Sequence, residues 1–168
     1  LEEYTNHNNN SFTHWLEYET EPLGSIRGGN AHKFGIYAAE EERNDKICIG
    51  NDDYAWCRKY GNSQEEAFSK VKEKILSIAK CASENKWEDI DKIDFGEAIK
   101  WKIAFLYSDK KLIPFFNKKD WLIPIAKRLG FASDAKKEKV SKLNIFILSK
   151  KETNQDLFDF YNKLVNIY

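Results

Sequence analysis

"GNSQEEAFSKVKEKILSIAKCA", residues 61–82, decides how the rest of the chain is read. Ser63 followed three residues later by Glu66 is a capping box, so a helix starts there. Phe68, Val71, Ile75, Ile78, Ala79 and Ala82 recur at helical spacing and form one apolar stripe. Such a stripe needs a covering surface, and the segments on either side are strand-like. Upstream, residues 33–38 alternate in character, "EEERND" (40–45) is a charged turn, and residues 46–49 read as the hairpin partner. Downstream, "WEDIDKIDFGE" (87–97) is a connector and "IKWKIAFLYS" (99–108) a strand. "DKK" then turns the chain into "LIPFF" (112–116), an edge strand because of Pro114. A capped helix between two hairpins predicts a single α+β domain, an antiparallel sheet with flanking helices, and not alternating βαβ units.

The ends fit around this centre. Residues 1–10 close with "NHNNN" and are expected to be a flexible lead. Ser11 or Asn10 caps a helix over about 12–20, with Phe12, Trp15, Leu16 and Thr20 on one side, stopped by Pro22 and Gly24. "KKDWLIPIAKRLG" (118–130) is a helix ending at Gly130, with Pro124 as a kink. "LNIFILS" (143–149) reads as a short strand. Thr153 caps a last helix within 152–168 that places Leu157, Tyr161, Leu164 and Tyr168 in register.

The 168 residues suit one domain, and 42% hydrophobic with 14% aromatic residues argues against disorder. The 27 basic and 27 acidic side chains cancel, which does not suggest a strongly basic nucleic-acid binder. Yet residues 110–151 are rich in Lys and Arg and poor in acids, while the first forty lean acidic, so a neutral total can hide a basic face. Lys118, Lys119, Lys127, Arg128, Lys136, Lys137 and Lys139 make up that region; a merely solvated surface is the alternative. Three cysteines, Cys48, Cys57 and Cys81, without CxxC spacing fit neither a disulfide framework nor a zinc site. Reduced packing thiols and a cytoplasmic location follow. No apolar run approaches a membrane span. No methionine occurs, so Leu1 is expected not to be the natural start, and the chain reads as one module of something larger.

Two stretches carry candidate chemistry. In "LGSIRGGNAHKFGIY" (23–37), Ser25, Arg27, Gly28, Gly29, Asn30 and Lys33 form a glycine loop with two cations. Glycines let backbone N–H groups approach an anion closely, so a phosphate contact is one reading and a tight turn before an edge strand the other. No GK[ST] follows, so it is not a P-loop. In "NDDYAWCRKYG" (51–61), Tyr54, Trp56 and Tyr60 interleave with Arg58 and Lys59. Rings and cations together suit stacking on bases and pairing with phosphates. If the stretch is extended, Tyr54, Trp56 and Arg58 share one face. The alternative packs Trp56 and one Tyr under the long helix. Acid-x-Lys spacings at Asp109, Asp134 and Glu84 are what chance supplies in so charged a chain, so no catalytic residue is assigned. His7, His14 and His32 lack ligand spacing, so no metal or other cofactor is expected.

The phrases "FTHWLEYETEPLGSIRGGNAHKFGIY", "YAWCRKYGNSQEEAFSKVKEKI" and "IKWKIAFLYSDKKLIPFF" resemble the amino-terminal region of McrB-like restriction proteins, over about residues 12–116. In that family a variable DNA-recognition domain precedes an AAA+ motor that hydrolyses GTP or ATP, and a separate McrC-type nuclease subunit cuts. The resemblance implies a non-catalytic, DNA-binding specificity domain in host defence. It would read a short or modified site in double-stranded DNA, with the last helix leading into a motor that carries the oligomer and nuclease contacts. The glycine loop would then meet the DNA backbone and the neighbouring aromatic strand would present base-reading groups. A protein-interaction module docking a partner subunit, or a stand-alone nuclease, are the alternatives.

Overall fold

The computed structural model describes residues 1–5 and 9–167. Mixed helix and sheet form one domain: seven α-helices and one three-stranded antiparallel sheet among the described residues. The helices are α1 (Phe12–His14), α2 (Gln64–Ser83), α3 (Trp87–Lys92), α4 (Glu97–Tyr107), α5 (Ile123–Arg128), α6 (Val140–Leu148) and α7 (Leu157–Ile167). The strands are β1 (Ile36–Ala38), β2 (Cys48–Gly50) and β3 (Tyr54–Cys57).

The 61–82 stretch forms α2. Ser63 Oγ accepts from Glu66 N–H at 3.2 Å, and the Glu66 carboxylate closes the box on Asn62 N–H at 3.0 Å. Val71, Ile78 and Ala82 of the stripe are fully buried. What they meet differs from the expectation. The sheet order is β1–β3–β2, so β3 lies between the two segments that were read as hairpin partners. Ile36 faces Trp56 on one side of β3 and Ile49 faces Trp56 on the other. Residues 31–34 are a 3-10 turn, so the first strand starts only at Ile36.

The second hairpin does not exist. Residues 99–107 belong to α4, which packs along α2 and is capped by Ser108, and residues 112–116 form no strand. The two lysines within this buried helix, Lys100 and Lys102, have a structural role. Both lysines run their stems through apolar surroundings and place their amines on backbone carbonyls where neighbouring helices end. Lys100 Nζ donates to Ile93 O at 2.9 Å, at the end of α3. Lys102 Nζ donates to Thr20 O at 2.7 Å and to Gly24 O, which end the π turn and the 3-10 turn that follow α1. Burial lowers the pKa of both amines, that of Lys102 to about 8. The expected strand 143–149 is likewise helical, residues 143–148 lying inside α6 and Ser149 capping it. Its buried Asn144 accepts from Ile113 N–H at 2.9 Å and so fastens the extended 112–116 segment. The 87–97 connector contains α3.

Elsewhere the boundaries shift for local reasons. Ser11 caps α1 by accepting from His14 N–H at 3.3 Å, and the helix widens into a π turn over Trp15–Glu19. A second π turn, Lys118–Leu122, admits Pro124 at the start of α5. Asp156, not Thr153, caps α7: its carboxylate accepts from Phe158 and Asp159 N–H at 2.7 and 3.2 Å. Leu157 and Leu164 are buried as expected, Phe160 more so than Tyr161, and Tyr168 lies outside the described residues. Where a loose lead was expected, Tyr4 and Thr5 are buried, and Tyr4 donates to Phe34 O at 2.7 Å. Asn6, His7 and Asn8 lie outside the described residues. Among those described, no helix is long and apolar enough to cross a membrane.

Candidate nucleic-acid interface

The glycine loop is held as a turn by its own side chains. Ser25 Oγ accepts from Arg27 N–H at 3.2 Å, and Asn30 Oδ1 accepts from His32 N–H at 3.5 Å. Gly28 and Gly29 sit at φ +88° and +75°, a backbone that side chains disfavour, with open space beside each. Lys33, proposed for phosphate, is committed elsewhere. Its amine lies 2.5 Å from Glu17 Oε1, 2.9 Å from Ile26 O and 2.8 Å from Gly28 O, and it is largely buried. It ties the loop to the helical segment after α1. Arg27 stacks over Tyr18 at 5.0 Å and makes a two-pronged pair with Glu21 at 3.0 and 3.2 Å. The acids of the first helical region thus neutralise both loop cations. Lys33→Ala is expected to cost about 2 kcal/mol, below the range for a fully buried pair, because Glu17 is left without its partner. Arg27→Ala is expected to stay within about 0.5 kcal/mol, because that pair is exposed. Urea denaturation of the two variants checks this.

The aromatic stretch divides differently. Trp56 is 6% exposed and Tyr60 3%, so these two rings are packing residues and not base-stacking ones, the alternative that the sequence left open. Trp56 lies on the sheet face covered by α2 and donates from Nε1 to Gly61 O at 3.1 Å. Tyr60 packs against Phe95, with Lys59 5.0 Å from its ring. Tyr54 is half-buried beside Thr5 and Glu2, and its pKa is raised, chiefly by desolvation. Only Arg58 and Lys59 keep exposed cationic heads here. Arg58 donates from Nε to Asp45 O at 2.7 Å and from the guanidinium to Asn44 Oδ1 at 2.5 Å. Lys59 pairs with Asp94 at 2.8 Å.

These two cations face concave surface that the sequence did not reveal. A cleft of about 690 Å³ is walled by Tyr37, Cys48, His32, Arg43, Lys46 and acids of the 40–45 turn. A neighbouring cleft of about 500 Å³ is lined by Arg58, Lys59, Tyr60 and Ile47, and shares His32 and Lys46 with the first. A third, of about 510 Å³, lies across the Tyr37–Glu40 segment and contains Gly28, Gly29 and Lys33. The β1–β3–β2 order creates this grouping by carrying the 39–47 loop past the edge of β2 and back. Desolvation, then the neighbouring Cys48, pushes the Tyr37 phenol up to about 12, with Arg43 opposing. Asp45 is held below the usual carboxylate range by the N–H groups of Cys48 and Ile47, which it accepts at 2.7 Å each. Nothing in the spacing of Tyr37, Arg43 and Lys46 signalled a common site; a three-strand register was needed.

The acid-x-Lys spacings are local turn chemistry. Glu84 pairs with Lys86 at 2.6 Å, Asp134 accepts from Lys136 N–H at 3.1 Å, and Asp109 sits in a turn at φ +51°. The lysines of the 118–139 region lie at or near the surface; Lys118 reaches Lys136 O at 3.2 Å. Among the described residues no group of three His, Cys, Asp or Glu side chains is placed to hold a metal. No family model, curated protein or solved structure matches this chain.

Proposed function

We propose that this domain binds double-stranded DNA without catalysing a reaction, as the specificity element of a McrBC-like restriction system. Its contact surface is the pair of adjoining clefts at the β2 edge and not the glycine loop. The observation that carries the reading is the convergence of His32, Arg43, Lys46, Arg58 and Lys59 on those two clefts. Cations at a concave rim suit phosphate oxygens, and Arg58 is aimed by its two neutral acceptors. Glu40, Glu41 and Asp45 in the larger cleft suit exocyclic amino groups of base edges, which are donors. A site that mixes both signs accounts for binding by a chain with no net charge. Its volume falls in the range of pockets that enclose a small ring system. The nuclease and oligomer contacts would belong to a motor that follows, as the resemblance to McrB-like proteins implies.

Fluorescence anisotropy with mixed-sequence duplexes at two salt concentrations tests this. Replacing Lys46, Arg58 and Lys59 together by Ala is expected to weaken binding to all duplexes. It should also flatten the log K against log salt slope by about 2 to 3, near 0.9 per lost phosphate contact. Arg27→Ala is expected to bind as the parent does. Unchanged affinity in a folded triple variant rejects this surface. Absence of duplex binding by the parent rejects the function, and cleavage on adding Mg²⁺ would move the protein to the nuclease class.

A further inference from the structure

Cys48 and Cys57 lie directly opposite each other in the β2–β3 ladder. The bonds on either side fix the kind of pair. Arg58 N–H donates to Ile47 O at 2.9 Å and Asn51 N–H to Tyr54 O at 2.9 Å, so the 47/58 and 51/54 pairs are hydrogen-bonded. Alternation along an antiparallel ladder makes 48/57 a non-hydrogen-bonded pair. Cys57 N–H agrees, since it turns the other way to Gly35 O at 2.8 Å. In such pairs the two Cα atoms approach to about 4.5 Å, with side chains on the same face and closer than elsewhere in the sheet. That separation falls at the short end of the range a disulfide can span. Both thiols are free. The Cys57 thiol also lies 3.4 Å from His32 O. Both cysteines are nearly buried, 3% and 5% exposed, with Cys48 at the wall of the larger cleft and Cys57 at the wall of its neighbour.

We infer that Cys48 and Cys57 form a reversible modification site, a dithiol that a low-molecular-weight disulfide oxidises to a cross-strand disulfide. One cysteine thiolate attacks a sulfur of the small disulfide, forming a mixed disulfide and releasing one small thiol. The second cysteine thiolate attacks the protein sulfur of that mixed disulfide, closing the Cys48–Cys57 bond and releasing the second thiol. The two electrons pass to the small disulfide, and the two cysteine protons end on the two released thiols. A bond that forms and opens by exchange with a small thiol–disulfide couple acts as a switch and not a staple. Burial and the adjacent Cys48 raise the Cys57 thiol to about 11, so thiolate is scarce at neutral pH and the exchange is slow. Closing the bridge removes the Cys48 thiol beside the Tyr37 phenol and so changes a wall of the larger cleft.

The test equilibrates the folded chain for a day in glutathione buffers of rising disulfide-to-thiol ratio. Samples are then quenched in acid and denatured, and their remaining thiols are labelled with N-ethylmaleimide for intact-mass and peptide analysis. The expected result is a reversible fall from three labelled cysteines to one, with Cys81 keeping the label and a linked Cys48–Cys57 peptide appearing. Cys81→Ser, which leaves the pair untouched, is expected to fall from two labels to none. Cys48→Ser and Cys57→Ser, checked for folding by circular dichroism, should show no internal link. Three labels persisting at the highest disulfide ratio, or loss of label only through glutathione adducts, overturns the proposal.

Discussion

Trp56→Ala is expected to destabilise the domain by about 3 to 5 kcal/mol, the range for removing a large ring from a packed core. The indole sits between Ile36 and Ile49 across the three strands and lies against α2, the helix whose stripe organises the core. Its removal leaves a cavity at the sheet–helix junction and deprives Gly61 O of its donor. Trp56→Phe restores most of the volume but not the hydrogen bond, and should cost about 1 to 2 kcal/mol. Tyr54→Ala, at a half-buried edge position, should cost less than Trp56→Ala by at least half. Urea denaturation with an unchanged m-value measures all three. If Trp56→Ala were no worse than Tyr54→Ala but lost DNA affinity, Trp56 would be a base reader after all.

Lys102→Ala is the second large effect, again about 3 to 5 kcal/mol. It empties the channel filled by the side-chain stem and strips Thr20 O and Gly24 O of their donor, inside a region where water does not reach. Gly24 gives little room for repair. It holds φ +108°, and a Cβ there would lie 2.7 Å from Pro114 O. Lys102→Met keeps the stem, and because it also removes a buried charge its cost should be smaller than that of alanine. The charge itself has a pH signature. Burial lowers the amine from 10.5 to about 8, so between these values the unfolded chain binds more protons than the folded one. Stability attributable to this group therefore rises as pH increases from 8 towards 10.5, by at most about 3 kcal/mol. Tyr37 and Cys57, raised by burial, act in the opposite direction at higher pH. The informative quantity is hence the difference between parent and Lys102→Met. A difference flat from pH 7 to 10 would show that Lys102 is not desolvated.

What the sequence determined by itself was local. Ser63 and Glu66 with the stripe from Phe68 to Ala82 marked α2, because capping and helical periodicity depend only on neighbours within a few residues. Ser11 as a cap and the end of α5 shortly before Gly130 were legible for the same reason. An α+β fold with an antiparallel sheet was read correctly, but from two hairpins of which one is helix and the other has β3 between its strands. Tertiary structure decided the rest. Residues 99–105 are buried on all sides, and a run buried all round carries no period to separate helix from strand. Lys100 and Lys102 lie inside this buried run. Their partners, Ile93 O, Thr20 O and Gly24 O, lie up to 82 residues away, and no local rule reaches that far. Arg27 and Lys33 looked like free cations until Glu21 and Glu17 were brought beside them. Trp56 looked equally able to read a base or fill a core, and the placement of β3 at the centre of the sheet, beneath α2, put it in the core. The same strand order gathered Arg43, Lys46, Arg58 and Lys59 around clefts and set Cys48 against Cys57. Side-chain type was written in the chain, but the company each side chain keeps was set by long-range pairing.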